Sequence, residues 1–183
     1  MYKLVSVDLD GTLLDSNREL SINTQNILKQ ISEQGIKVII NSGRIFDSAK
    51  DIADKAGLNT YIISSNGALI KKINNNEIIY SETMDSNICK KIIKICQMQD
   101  VYFHVYMDEK MYTQQLKYVS LHYWNANINQ EQSCKVDVKL VDDITSCVNE
   151  NKPIHKIVII CEELDKLKNI RELIESFSEV SVT

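Results

Sequence analysis

Two carboxylates stand one residue apart in the segment Asp8-Leu9-Asp10-Gly11-Thr12-Leu13-Leu14. Like charges this close are costly unless a cation or phosphate chemistry uses them. One carboxylate can attack phosphorus and form an aspartyl phosphate, while the other exchanges a proton with the leaving group and then with water. The plain alternative is an Asp-Gly turn after a strand. Two further segments share this double character. Asn41-Ser42-Gly43-Arg44 offers a hydroxyl and backbone N–H groups where a helix begins, which is an anion site or simply an N-cap. Asn66-Gly67-Ala68 either touches a ligand or forms a turn that needs Asn-Gly. Arg44 is open between a substrate contact and a carboxylate partner.

Each segment follows a short apolar run that can hold it in place. Leu4, Val5 and Val7 predict a strand ending at Asp8, residues 36–40 a second strand and 61–63 a third. Between the first two, Ser21 is a fitting N-cap for a helix with Ile27, Leu28 and Ile31 on one face and a stop at Gly35. Between the second and third, Phe46, Ala49, Ile52, Ala53 and Ala56 recur at helical spacing before Gly57. This rhythm predicts right-handed crossovers and an open parallel sheet, whose carboxyl edge is where ligands bind.

After Ser64 the texture changes. Residues 68–73 and 77–81 bracket Asn74-Asn75-Asn76 as a hairpin. From about residue 84 a second α/β unit is expected. Ile88, Ile92, Ile93 and Cys96 mark a helix and residues 101–107 a strand, with a hairpin arm at 110–114 and a helix at 116–127. Further strands are expected at 136–141, 154–161 and 179–182, with a helix at 164–177. Seven of the twelve aromatic residues fall between Tyr102 and Trp124. They form either the core of a small unit, the simpler reading, or a substrate-facing surface with His104 or His122 as polar contacts.

Bulk properties narrow the function. An apolar fraction of 44% and a charged fraction of 25% suit a soluble globular protein. A net charge of −4 gives no reason to expect nucleic acid or an anionic membrane as partner. The N-terminus is too short and polar for a signal peptide, and the longest apolar run, 157–161, falls far short of a membrane span. Five cysteines (Cys89, Cys96, Cys134, Cys147, Cys161) contain no Cys-x-x-Cys pair, which fits reduced thiols in a cytoplasm. Cys89 and Cys96 lie two helical turns apart and read as core.

With these motifs assembled, the sequence resembles the haloacid dehalogenase (HAD) superfamily of phosphatases, in its Cof-type branch with a large α/β cap. The resemblance implies a partial doubly wound, parallel-sheet (Rossmann-like) core over residues 1–83 and an inserted α/β cap over 84–183. It makes Asp8 the nucleophile and a magnesium ligand. It makes Asp10 the general acid/base, its carbonyl also binding magnesium. Phosphate or substrate contacts fall to Leu9, Ser42, Gly43, Arg44, Asn66 and Gly67. The expected cofactor is Mg2+ and the expected partner a small phosphorylated metabolite such as a sugar phosphate. A phosphomutase-like phosphotransferase and a non-catalytic remnant or binding module are the alternatives.

The family also uses a later Lys and further acidic metal ligands on two more core strands, so the chain is expected to be C-terminally truncated relative to it. Asp142-Asp143 mimics the acidic motif but is expected to start a cap helix or turn, and Lys156 belongs to a late cap strand. Losing one preorganised charge-stabilising group costs roughly 100- to 1000-fold in rate, so a chain lacking them is expected to be slow. The first strand, central in the family order, is expected to leave one edge bare and open to self-association.

Overall fold

The structure is a computed structural model that describes residues 2–128 and 135–183. Cys134 lies outside the described residues. The chain divides into two compact units, one within the first 82 residues and the other beginning at Thr83.

The first unit runs β1 (Leu4–Val7), α1 (Ile22–Glu33), β2 (Lys37–Asn41), α2 (Phe46–Lys55), β3 (Tyr61–Ser64), β4 (Leu69–Lys72) and β5 (Ile78–Ser81). These strands form one sheet in chain order. β1, β2 and β3 are parallel, and β4 and β5 continue antiparallel. α1 starts where the Ser21 hydroxyl accepts from the Thr24 N–H, at 3.1 Å. It ends ahead of Gly35, whose φ of 78° is a conformation that favours glycine. Of the three residues expected on its inner face, Leu28 is buried and Ile31 packs on the core, but Ile27 is 46% exposed. The apolar stripe is narrower than expected and leaves Ile27 outside it.

Leu9, Val38, Ile40 and Ile62 are fully buried together with Phe46, Ala49, Ile52 and Ala53 of α2. Complete burial of such aliphatic side chains contributes about 1.5–3 kcal/mol each. The parallel strands and α2 therefore make the firm floor beneath the loops at the carboxyl edge. β1 has only β2 beside it, so among the described residues it ends the sheet, with Leu4 48% and Val5 39% exposed.

The second unit contains α3 (Ser86–Met98), β6 (Tyr102–Met107), β7 (Lys110–Thr113), α4 (Tyr118–Ala126), β8 (Val138–Leu140), α5 (Ile144–Cys147), β9 (Ile154–Ile160) and α6 (Leu164–Glu175). Its sheet order is β8-β7-β6-β9, with β6 antiparallel to both neighbours. Every residue of β6 is buried. Phe103, Val105 and Met107 join Ile88, Cys89, Ile92, Ile93 and Cys96 of α3 in one core. By strand alternation Tyr102, His104 and Tyr106 occupy the opposite face.

The aromatic-rich stretch is mostly core: Tyr102, Phe103, Tyr106 and Tyr112 are buried, while Tyr118 and Trp124 keep 44% and 42% exposure. Asp143 caps α5, its carboxylate accepting from the Thr145 and Ser146 N–H groups. The strand expected at 179–182 does not form. Val180 and Val182 pack against the second core instead, and Arg171 donates to the Val182 carbonyl. No helix among the described residues is long and apolar enough to cross a membrane.

Candidate active site

The parallel register sets Val7 beside Ile40 and Asn41 beside Ile63, so β1, β2 and β3 end side by side. Their following loops carry Asp8 and Asp10, then Ser42 to Arg44, then Ser65 to Gly67. At the first loop the chain turns sharply. Gly11 takes φ 77°, and the Leu14 N–H closes a wide turn on the Leu9 carbonyl at 3.0 Å. The Leu9 side chain is fully buried, so only its backbone can meet a ligand. Asp8 and Asp10 are exposed, and the Thr12 hydroxyl donates to Asp8 Oδ2 at 3.4 Å.

Arg44, left open by the sequence, forks onto Asp10. Its Nε donates to Oδ2 at 2.8 Å and its Nη2 to Oδ1 at 2.6 Å, while Nη1 reaches the Ser48 hydroxyl at 3.4 Å. Such bidentate, charge-assisted pairs are among the stronger hydrogen bonds. These bonds hold the Asp10 carboxyl below its ordinary pKa. Partial burial opposes the shift, and the charges of Arg44 and Arg18 add to it. Asp10 is therefore held ionised.

Ser42 is buried, and its hydroxyl oxygen accepts from the Arg44 N–H at 3.2 Å. The hydroxyl keeps its own hydrogen for another acceptor. Sequence reasoning missed Ser65. Ser65, Asn66 and Gly67 take φ values of 52°, 59° and 99°, three successive residues in the left-handed half of conformational space. A non-glycine residue there costs on the order of 1 kcal/mol or more. The only signal in the sequence was the run of Ser, Asn and Gly, residue types that favour turns. It cannot report that Ser65 itself is left-handed and buried.

The donor set suits magnesium in kind but not in number. Both Asp10 carboxylate oxygens are taken by Arg44, which leaves the Asp8 carboxylate and the Asp10 carbonyl for a cation that wants about six oxygens. Among the described residues no group of three His, Cys, Asp or Glu side chains could hold a metal. Asp143, of the acidic pair at 142–143, serves as the cap of α5, as expected of it.

Residues 5–183 match the family model of the haloacid dehalogenase-like hydrolases, and the chain belongs to that family. It is 33% identical over 113 residues to phosphatase YwpJ of Bacillus subtilis, a match that takes in 62% of this chain and 39% of YwpJ. It is 26% identical over 196 residues to the 5-amino-6-(5-phospho-D-ribitylamino)uracil phosphatase YwtE of the same organism, covering 99% of this chain and 68% of YwtE. A haloacid dehalogenase-like hydrolase from Bacteroides thetaiotaomicron shares the fold at a TM-score of 0.81 and 24% identity, over 100% of this chain and 67% of its own. The chain spans 39 to 44% of the length of the first three curated relatives it matches.

Proposed function

We propose that this chain carries the nucleophile side of a phosphatase for small phosphorylated metabolites, sugar phosphates among them, with cytoplasmic work as its setting. The observation that carries the reading is that Asp8, Asp10, Ser42 and Arg44 stand on loops at the carboxyl edge of one parallel sheet, with Arg44 forked onto Asp10 and its N–H donating to the Ser42 hydroxyl. The relatives named as phosphatases support the reaction class.

In this reading an Asp8 oxygen attacks phosphorus as the bond to the leaving oxygen breaks, and water then attacks the aspartyl phosphate. Asp10, ionised beside Arg44, is suited to take the proton of that water. To donate a proton in the first half it must carry one, and for that Arg44 has to release it. The Ser42 hydroxyl and the backbone around Gly43, in the loop that leads into α2, hold the phosphoryl oxygens. Bound magnesium supplies charge neutralisation, with Asp8 and the Asp10 carbonyl as this chain's contribution to its shell.

The test is p-nitrophenyl phosphate with magnesium on the purified chain, with Asp8→Asn as the blank. Borohydride reduction then marks any aspartyl phosphate for peptide mapping. Transfer of phosphate to Asp8 supports the reading, and turnover that survives Asp8→Asn overturns it. Slow turnover is expected, because the described residues complete neither the magnesium shell nor the charge around the phosphoryl group. An isomeric phosphate as product in place of free phosphate would mark the phosphotransferase reading instead.

A further inference from the structure

We infer that Ser65 and Asn66 form a positioning clamp that fixes the phosphate-holding loop 42–44 through backbone hydrogen bonds. The inference rests on the phosphatase reading for its purpose but not for its geometry. Two bonds join the two loops, beside a third that ends the β2–β3 pairing. The Ser42 N–H donates to the Ile63 carbonyl at 2.9 Å, the Ser65 N–H to the Arg44 carbonyl at 2.9 Å, and the Asn66 N–H to the Ser42 carbonyl at 3.3 Å. The last two fall on either side of Gly43. The clamp thus grips the peptide whose groups would face a phosphoryl oxygen, and it does so at both ends.

The left-handed backbone is what makes this grip available. In an extended chain successive N–H groups point to opposite sides, so neighbours cannot both serve one loop. Consecutive left-handed residues form a concave turn that can direct successive N–H groups to one side. Ser65 and Asn66 donate as adjacent residues to carbonyls two residues apart. The arch is closed at its base by the Ser64 hydroxyl on the Leu69 carbonyl, at 3.1 Å. The grip then passes outward by contact. The clamp holds the Arg44 carbonyl, the Arg44 N–H holds the Ser42 hydroxyl, and the Arg44 guanidinium holds Asp10.

Asn66 is exposed, so its side chain can be changed without repacking the core. Asn66→Gly keeps the N–H and tolerates φ 59°, whereas the β-branched side chain in Asn66→Val resists it. Inorganic phosphate titrated into the chain, followed by the Gly43 and Arg44 amide signals, gives one readout. The Arg44 Nε–H signal in the phosphate-free protein gives a second that needs no ligand. Asn66→Gly should keep the Nε–H signal of the parent, and its phosphate affinity sets the reference for a protein without the Asn66 side-chain amide. Asn66→Val should bind phosphate at least about tenfold more weakly than Asn66→Gly and exchange its Nε–H faster. An Asn66→Val protein with an unchanged Nε–H signal overturns the clamp, whether or not phosphate binds. Equal loss in both variants overturns it too, because the Asn66 side chain would then be responsible. Absence of phosphate binding in the parent counts against the phosphatase reading alone, and the Nε–H comparison still decides the clamp.

Discussion

The two units treat their polar side chains in opposite ways. At the carboxyl edge of the first sheet the polar groups are engaged, with Arg44 on the half-exposed Asp10 and the buried Ser42 hydroxyl accepting from the Arg44 N–H. In the second unit His104 is fully buried, and neither of its ring nitrogens finds a hydrogen-bond partner among the described residues. The buried hydroxyl of Tyr102, with ring centroids 5.7 Å apart, shares that condition. The first region spends backbone strain to order groups that can still exchange partners with a ligand. The second spends unsatisfied hydrogen bonds, about 1–3 kcal/mol each, to complete an aromatic core. An engaged cluster at the sheet edge is built for chemistry, whereas an unengaged, inaccessible one is a stability liability.

The sharpest break in that comparison is acidification. Burial, reinforced by the charge of Lys156, pushes the His104 imidazole from 6.5 down to about 3. The folded pKa lies below the unfolded one, so the unfolded chain binds the proton more readily. Stability is complete above about pH 6.5 and is lost as the pH falls toward 3, by several kcal/mol at the ceiling. His104→Phe should flatten the loss. Melting temperatures between pH 7 and pH 4 that fall equally in both proteins would remove His104 from the account.

Thiol reactivity separates buried from reachable groups more gently. Burial lifts the thiols of Cys89 and Cys96 to about 12, whereas Cys147 and Cys161 are only half-buried. Iodoacetamide at pH 8 should alkylate Cys89 and Cys96 about a thousandfold more slowly than an ordinary exposed thiol, behind Cys147 and Cys161. Peptide mapping over time decides this, and early labelling of Cys89 would show that the second core opens readily.

Arg44→Lys tests the engaged region. A lysine cannot reproduce the fork, so the Asp10 carboxyl should rise toward its ordinary value, visible by carboxyl NMR. The cost in stability should be only about 1 kcal/mol, because Asp10 is half exposed and water screens the pair. An unmoved Asp10 titration would mean that the fork does not persist in solution. The smallest effect belongs to Asp143→Ala, which strips the cap of α5 and should cost about 1 kcal/mol or less. Altered magnesium binding in that variant would show that the carboxylate has a second role.

How far the sequence reached can be judged residue by residue. The first strand, Ser21 as cap, the Phe46 to Ala53 stripe and the Cys89/Cys96 pair were all legible, because period and capping are local properties of the chain. The adjacency of the three motif loops was legible too, since strand-helix-strand rhythm leaves few topologies. Ile27 and the segment 179–182 misled because apolar character alone does not say what covers it. Ile27 fell outside the stripe, and Val180 and Val182 found a core rather than a strand partner.

The partner of Arg44, the left-handed turn at Ser65 and the isolation of His104 were decided only in three dimensions. Arg44 and Asp10 are 34 residues apart, and no local pattern ties a guanidinium to one distant carboxylate among several. Ser65 is left-handed because the backbone on either side of Gly43 accepts its N–H and that of Asn66. His104 is unpartnered because strand alternation turns it away from α3 and into a face of rings. Sequence set which residues could do chemistry and on which edge they stand. Which of them hold one another depends on contacts between segments far apart in the chain, and those exist only once the sheet has closed.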